Sequence, residues 1–575
     1  MTSPPTLFDE TTSPTAALPD LDSVSSSDDA ASTDATSEYV APLSGKAAPE
    51  PSIDGTSVTG GEGGVRAQSL DQVSDEDKQS ALRIKSEANA LFSGEDSLDM
   101  YTASLNKNPF DPIVWSNRAA VRLKLEEHGL AIADATRAIE IDERAVKAYF
   151  RRALANIAIM KPKAAVVDLK KILSIDPNNA SARAQLDATQ KLLRRLQFEA
   201  AISAKDEVPT SSKIIEQLKD GASPIDKDYT GPRLDDDTQV TAKFVDDMIE
   251  WFKDGNVIPR RIAWQIVLGA YAKLKEEPSL VDVTIPDGET INVIGDTHGQ
   301  FYDFYHLLSL TGKPTPTHTL LFNGDFVDRG SWSTEIVLTL FAFKWLYPTK
   351  VFLNRGNHET ADMNKVYGFE GETKKKYSEM TYKLFEEVFT ALPLATLITA
   401  SKPPRPDAPP NPKNPTLCNG VKRFMVVHGG LFSREDVTLD DIRAIDRIGQ
   451  KQPGQEGLMC EMLWTDPQDA NGRGPSKRGV GIGFGPDVTR RWTERNQVTA
   501  VIRSHEVRQG GYSVEHDGLC ITVFSAPNYV DQVGNLAAFA TIDDTGDISY
   551  TTFSEQPHPP VRAMAYAGGG MGGFI

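Results

Sequence analysis

Five short apolar runs, each closed by a turn rich in Gly and polar residues, organise the second half of the chain. They are Ile291-Asn292-Val293-Ile294, Leu320-Leu321-Phe322, Val351-Phe352-Leu353, Phe424-Met425-Val426-Val427 and Ala500-Val501-Ile502. Their length and β-branched content predict buried strands. Between the first three, residues 301–310 and 334–346 place apolar side chains at helical spacing, so the pattern reads strand–helix–strand–helix–strand. Upstream, residues 240–253 and 260–276 predict two more helices. Residues 202–235, with Pro209, Gly221, Pro224, Gly231 and Pro232, read as a linker.

From residue 77 to 201 the periodicity is helical throughout, and it repeats. Trp115, Asp134, Ile139 and Asp142 recur 34 residues later as Tyr149, Asp168, Leu173 and Asp176, and Leu105 and Asn108 fill matching places one period earlier. Helix pairs of this period read as tetratricopeptide (TPR) repeats, which stack because one unit cannot bury its own apolar face. Three repeats and a terminal helix, residues 181–201, are expected. On the first helices, Lys85 and Asn89 are four apart, as are Lys147 and Arg151, and Asn117 takes the corresponding place in the middle repeat. Residues at i and i+4 share a face. The first helices line the concave side of the solenoid, and the plain interpretation of these residues is a solvated basic face.

Composition divides the chain further. The formal charge is −19 over 575 residues, but residues 1–76 hold 14 acids and 2 bases, leaving −7 for the rest. This first segment is rich in Ser, Thr, Asp and Pro and too poor in apolar residues to offset the entropy of ordering, so a disordered acidic tail is expected. The folded part is only mildly acidic, which argues against non-specific nucleic-acid binding. No apolar stretch reaches the ~18 residues of a membrane span. Cys418, Cys460 and Cys520 are too few and too scattered for a disulfide framework, which suits a reducing compartment. A cytoplasmic location is expected, with the nucleus as a second compartment. The expected divisions are 1–76 tail, 77–201 TPR domain, 202–235 linker, 236–556 catalytic domain and 557–575 tail.

The chemistry lies where the apolar runs end. Gly295-Asp296-Thr297-His298-Gly299-Gln300 follows the first, Gly324-Asp325-Phe326-Val327-Asp328-Arg329-Gly330 the second and Gly356-Asn357-His358-Glu359 the third. His428-Gly429-Gly430 and Arg503-Ser504-His505-Glu506 follow the last two. Sites in α/β sheets form beyond the carboxyl ends of strands, so these residues should converge. Two Asp, three His and an Asn are donors for first-row metals. Asp296, His298 and Asp325 are expected to hold one divalent ion and Asp325, Asn357, His428 and His505 a second. A shared Asp325 would bridge the pair, which would carry a hydroxide nucleophile. Arg329 and Arg478 can grip phosphate oxygens bidentately. His358 can protonate a departing alkoxide while Asp328 orients its ring. One such motif alone would be an ordinary strand-ending turn; five in order are not.

These motifs, together with Ser525-Ala526-Pro527-Asn528-Tyr529, resemble the phosphoprotein phosphatase family of dinuclear serine/threonine phosphatases, over roughly residues 235–565. The preceding TPR repeats make the chain similar to members that carry such a domain. The resemblance implies an all-α TPR solenoid followed by an α/β metallophosphatase domain with a central β-sandwich flanked by helices. It implies two divalent ions of the Mn, Fe, Zn or Mg class, phosphoprotein substrates, and a phosphate contact from Tyr529. It also implies autoinhibition, in which the TPR domain and a C-terminal helix cover the active site. Here the Gly-rich end, Met571-Gly572-Gly573-Phe574-Ile575, is a poor helix former. Lys85, Asn89, Asn117, Lys147 and Arg151 match the carboxylate clamp of chaperone-binding TPR domains, which grips the acidic C-terminus of the 90-kDa heat-shock chaperone. Two departures are Val530, where a Cys commonly stands, and a Pro-rich insertion at 401–416. The competing readings are a catalytically inactive TPR adaptor and another metallophosphoesterase, such as a nuclease or nucleotide hydrolase.

Overall fold

A computed structural model describes residues 73–90, 95–202, 208–221, 223–235, 239–403 and 420–567. Most of the acidic tail, most of the Pro-rich insertion and the Gly-rich end lie outside the described residues.

The helical region consists of α1 (Asp75–Ala90), α2 (Glu95–Lys107), α3 (Pro112–Lys124), α4 (His128–Ile141), α5 (Val146–Ala158), α6 (Pro162–Ile175) and α7 (Ala180–Ile202). Buried Ala119, Ala135, Ala138 and Ala148 form one cluster, and their small side chains let successive helices approach closely. The recurring Asp and aromatic residues have a common cause. Asp134 accepts two hydrogen bonds from Arg118 (2.8 and 2.7 Å), and Asp168 accepts two from Arg152 (2.9 and 2.7 Å). Each guanidinium also lies over the aromatic ring three residues before it, Trp115 or Tyr149. One Arg-centred joint is thus used twice, 34 residues apart.

The segment expected to be linker contains a helix, α8 (Thr210–Lys219). Ile214 on α8 is buried in the catalytic core, and the Ser211 amide and hydroxyl both donate to Glu387. Flanking Pro and Gly hid this short amphipathic element from a composition-based reading. The catalytic region then opens with α9 (Ala242–Lys253) and α10 (Arg260–Leu274).

Two sheets face each other behind the site. The first contains β1 (Leu280–Thr284), β5 (Ala395–Thr399), β6 (Arg423–Val427), β10 (Ala500–Arg503), β12 (Cys520–Val523) and β11 (Tyr512–Glu515), in that spatial order. The second runs β14 (Ile548–Phe553), β13 (Ala537–Asp543), β2 (Thr290–Ile294), β3 (Thr319–Phe322) and β4 (Val351–Leu353). A small third sheet holds β7 (Asp466–Pro467), β9 (Ile482–Phe484) and β8 (Arg473–Pro475).

Alternation along the strands builds three apolar layers. Val293, Leu321, Val426, Ile502 and Val523 meet between the sheets. Leu320 and Phe322 face outward, toward α11 (Phe301–Thr311), α12 (Ser333–Leu346) and α15 (Glu379–Phe389). Met425, Val427 and Val501 face outward on the other sheet, under the helices at Leu458–Trp464 and Pro486–Asn496. Short α13 (Ala361–Tyr367) and α14 (Phe369–Lys376) follow β4. The result is a β-sandwich flanked by helices, with the ends of β2, β3 and β4 from one sheet meeting those of β6 and β10 from the other.

The helical and catalytic regions share a core. Tyr149, Ile157 and Ile159 of the TPR repeats cluster with Met363, Val366, Tyr367, Leu463 and Val480, and with Met564 near the C-terminus.

Candidate metal and phosphate site

The strand ends deliver their polar residues to one buried spot. Asp296, His298, Asp325, Asn357, His358, His428 and His505 are all buried. Sharp turns at the strand ends force unusual backbone: φ is +42° at His298, +51° at Asp325, +70° at Asp328, +68° at Arg329 and +72° at His505. Left-handed backbone is costly away from Gly, and its concentration in these loops fits a site where geometry takes precedence over local stability. The Glu359 carboxylate offsets part of this cost, accepting from the amides of Asp325, Phe326 and Gly356 at 2.8 Å each. A Cβ on Gly356 would lie 2.3 Å from the Asp325 backbone nitrogen, so this close crossing requires Gly.

The donors meet in two overlapping groups, His298–Asp325–His358 and Asp325–His428–His505, each with ligand atoms within 4.8 Å of one another. Asp325 belongs to both. Asp296 lies just outside them, 3.7 Å from His298 Nε2 and 3.9 Å from His428 Nδ1. His428 Nε2 is 2.9 Å from Asn357 Oδ1, 3.2 Å from Asp325 Oδ2 and 3.2 Å from His505 Nδ1. A single ring nitrogen satisfies at most one of these three, whereas a cation among them satisfies all. His298 Nδ1 and His428 Nδ1 contact the carbonyls of Val327 and Asn323 at 3.1 and 2.9 Å, turning each Nε2 inward, as outer partners of metal-binding His do. His505 Nε2 is buried without a partner. Burial, reinforced by the Asp325 charge and opposed by His428, pushes the Asp296 carboxyl up to about 7, so without cations the cluster is poorly compensated. The donor set fits divalent metal ions.

Beside this cluster lie the groups expected to handle phosphate. His358 Nδ1 is 2.9 Å from Asp328 Oδ2; burial opposes the imidazolium, but Asp325 and Asp328 together raise its pKa. Arg329 stacks on Tyr367, its Cζ 3.8 Å from the ring centroid. Arg478 is fixed by Asp466 at 2.8 Å and donates to the His505 carbonyl at 2.5 Å. The Tyr529 ring lies 5.2 Å from that of His298.

A residue outside every motif occupies the mouth of the site. Glu126, at φ +61° in the turn between α3 and α4, projects a carboxylate onto the arginines. Its oxygens lie 2.6 Å from Arg329 Nη2 and 3.7 Å from Arg478 Nη1, and the Tyr529 hydroxyl donates to it at 3.2 Å. Burial alone would raise its pKa, but Arg329 and Arg478 hold the carboxyl down at about 2. The turn is seated by a backbone bond from Leu130 N–H to the Lys477 carbonyl (3.1 Å). Gly129 packs so tightly that a Cβ there would lie 2.5 Å from the Gly479 nitrogen. The end of α7 adds ion pairs from Arg195 to Glu370 and from Glu199 to Lys365. Near the C-terminus, Met564 N–H donates to the Arg329 carbonyl at 2.6 Å, and this segment forms turns. A Glu in the turn between the two helices of one repeat carries no sequence signal by itself.

Three of the five expected clamp residues are joined by hydrogen bonds. Asn117 Nδ2 donates to Asn89 Oδ1 (3.1 Å), and Arg151 donates to Ser116 Oγ (2.6 Å) and Asn117 Oδ1 (3.3 Å). Lys147 is exposed, and neither it nor Arg151 has a carboxylate partner among the described residues. Lys85 is paired with Asp111 at 2.9 Å. Burial lowers Arg151 to about 10.

Comparisons with known proteins agree with this architecture. The calcineurin-like phosphoesterase family matches residues 289–509, and the PPP5 TPR repeat region matches residues 186–282. Serine/threonine-protein phosphatase T of Aspergillus oryzae is 49% identical over 494 residues, covering 85% of this chain and 98% of that protein. Human serine/threonine-protein phosphatase 5 is 43% identical over 492 residues, covering 85% and 93%. A solved Saccharomyces cerevisiae protein serine/threonine phosphatase, described as similar to human PP5, aligns with a TM-score of 0.51 at 41% identity, covering 57% of this chain and all of that one. No helix among the described residues is long and apolar enough to cross a membrane. With its TPR repeats, its metallophosphoesterase domain and relatives of this identity along most of its length, the chain belongs to the serine/threonine-protein phosphatase 5/T family of phosphoesterases.

Proposed function

We propose that the chain hydrolyses phosphoserine and phosphothreonine in proteins using two divalent ions, that its own TPR domain holds it inactive, and that the TPR clamp recruits it to a chaperone. Asp296, His298 and Asp325 would hold one ion and Asp325, Asn357, His428 and His505 the other. Bound ions supply Lewis acidity, drawing charge from the phosphate and acidifying a water nucleophile. The chain's own groups do the rest. Arg329 and Arg478 grip the equatorial phosphate oxygens, with Asn357 and Tyr529 beside them. His358, its Nδ1 committed to Asp328, presents Nε2 to the departing Ser or Thr oxygen and gives it a proton.

The observation that carries this reading is the Glu126 carboxylate on Arg329, Arg478 and Tyr529. An anion already sits where the phosphate would, which supports both the use of these residues and a blocked resting state. Purified protein with Mn²⁺ should release phosphate from phosphoserine peptides in preference to phosphodiesters, and deleting residues 1–205 should raise that rate several-fold. Preferential turnover of a diester would favour the nuclease reading; no turnover by the deletion variant would favour the inactive adaptor.

Recruitment is supported by the Asn89–Asn117–Arg151 network with exposed Lys147 beside it, a basic cradle open to a C-terminal carboxylate flanked by acidic side chains. The acidic C-terminus of the 90-kDa heat-shock chaperone has that chemistry. A synthetic peptide of this kind should bind the full chain, and a C-terminally amidated copy should bind far more weakly.

A further inference from the structure

The proposed mechanism leaves one buried polar side chain at the proton donor without a role. Asn364, on α13, is 1% exposed. Its Nδ2 donates to Asp328 Oδ2 at 3.0 Å and to the His358 carbonyl at 2.7 Å. Both neighbours are pure acceptors, so only the amide nitrogen can face them. The other end, Oδ1, is buried with no partner. Leaving a buried acceptor unpaired is destabilising, so the side chain is held for its two donated bonds. Asp328 Oδ2 also accepts from His358 Nδ1 (2.9 Å), while Asp328 Oδ1 accepts from Phe369 N–H (2.8 Å). One amide group therefore ties the backbone of the acid to the carboxylate that orients its ring.

We infer that Asn364 is a positioning residue for proton donation: it locks the His358–Asp328 pair so that His358 Nε2 points at the leaving oxygen. In that step the phosphorus–oxygen bond to the substrate breaks as the bond to the water oxygen forms, and the Nε2 proton passes to the departing alkoxide. The inference rests on the assignment of His358 as the acid. A positioning role of this kind matters in proportion to how much the leaving group needs the proton. An alkoxide from phosphoserine needs it; 4-nitrophenolate, a stable anion, hardly does.

The test uses the full chain with Mn²⁺ and two substrates, a phosphoserine peptide and 4-nitrophenyl phosphate. Asn364→Ala, and Asn364→Ser as the smaller perturbation, should lower kcat for the peptide by about ten-fold or more, within the range of general-acid effects. The peptide KM should be unchanged, and the aryl ester should lose no more than about three-fold. A merely structural role would depress both substrates alike, and that result, or no loss on either, overturns the inference. His358→Asn is run alongside. If it loses peptide turnover selectively while the Asn364 variants do not, the acid stands and the role of Asn364 falls. If it loses both substrates equally, the acid assignment falls and takes this inference with it.

Discussion

Replacing Glu126 by Gln keeps the shape of the side chain that caps the site and removes its charge. One Glu126 oxygen lies 2.6 Å from Arg329 Nη2 and within 3.2 Å of the Tyr529 hydroxyl, and the other is 3.7 Å from Arg478 Nη1, with the side chain 18% exposed. A carboxyl held at about 2 instead of the ordinary 4.5 corresponds to about 3 kcal/mol in favour of the docked, ionised form. Partial exposure screens some of this, and Gln still accepts a hydrogen bond from Arg329, so about 1–2 kcal/mol should be lost from the closed state. The shared apolar core and the Arg195–Glu370 and Lys365–Glu199 pairs remain, so the domain stays attached. A shift of that size moves the closed–open equilibrium constant about ten-fold, so E126Q should approach the activity of the fully opened chain. The assay is phosphate release from a phosphoserine peptide with Mn²⁺, with the chain lacking residues 1–205 as the ceiling. If E126Q matches wild type while the deletion is several-fold more active, the carboxylate is not what holds the site shut.

The same group fixes a pH dependence. Because docking depresses the carboxyl, its contribution is whole above about pH 5 and is lost as pH falls from the free value of 4.5 toward 2. Between pH 6 and 9 the ratio of E126Q to wild-type activity should therefore be flat. A ratio that falls steadily toward one as pH drops through 7 would show that another group governs closure.

Further outcomes follow from the same contacts. Gly129→Val places side-chain atoms against the Gly479 backbone, where even a Cβ meets nitrogen at 2.5 Å, so it should activate the enzyme several-fold without altering the isolated catalytic region; an unactivated variant would show that the turn is loosely seated. Lys147→Ala should weaken binding of an acidic peptide with a free C-terminal carboxylate by about ten-fold, measured by calorimetry, and leave basal phosphatase activity unchanged. Asp325→Asn, which changes the one carboxylate common to both donor groups, should abolish activity and reduce metal content by more than one ion per chain; loss of one ion only would argue against a bridging role. Chelation of wild-type protein should abolish turnover, with recovery on adding Mn²⁺.

The core of this protein was legible because its strands are short, apolar and punctuated. The runs at 291–294, 320–322 and 351–353 correspond to β2, β3 and β4, and the ends of β6 and β10 carry His428 and His505 as their motifs require. The 34-residue recurrence marked the repeats because Arg118–Asp134 and Arg152–Asp168 repeat one joint. What could not be read depends on contacts between distant segments. Nothing in Glu126-Glu127-His128-Gly129 distinguishes it from any polar turn until Gly479 and Arg329 are placed against it. Asn364 looks like an ordinary helical Asn until Asp328 approaches its amide. Residues 202–235 read as linker because Pro and Gly punctuate a window in which, among the described residues, only Ser211 and Ile214 are buried. Backbone strain at His298, Asp325, Arg329 and Val530 is equally invisible, since each has an unremarkable side chain for its position and an uncommon φ.

Helix α3 links the two roles assigned to the TPR domain. It carries Asn117 on the face of the clamp and, just beyond its C-terminus, Glu126 on the arginines. Yet the surfaces are different. Clamp residues Lys147 and Asn89 are exposed while Glu126 is docked, and the interface core uses Tyr149, Ile157 and Ile159. A peptide that contacts Lys147 and Arg151 alike in the open and closed forms has no differential affinity for them and shifts nothing, however tightly it binds. Recruitment and release are then separable: a short C-terminal peptide should occupy the clamp with little activation. Activation would need contacts made only after the α3–α4 turn leaves Arg329, such as a larger partner competing for the surface of Val480 and Leu463. A short acidic peptide that activated the chain to the level of the deletion variant would show instead that α3 itself transmits the change, and would place the two sites on one mechanical element.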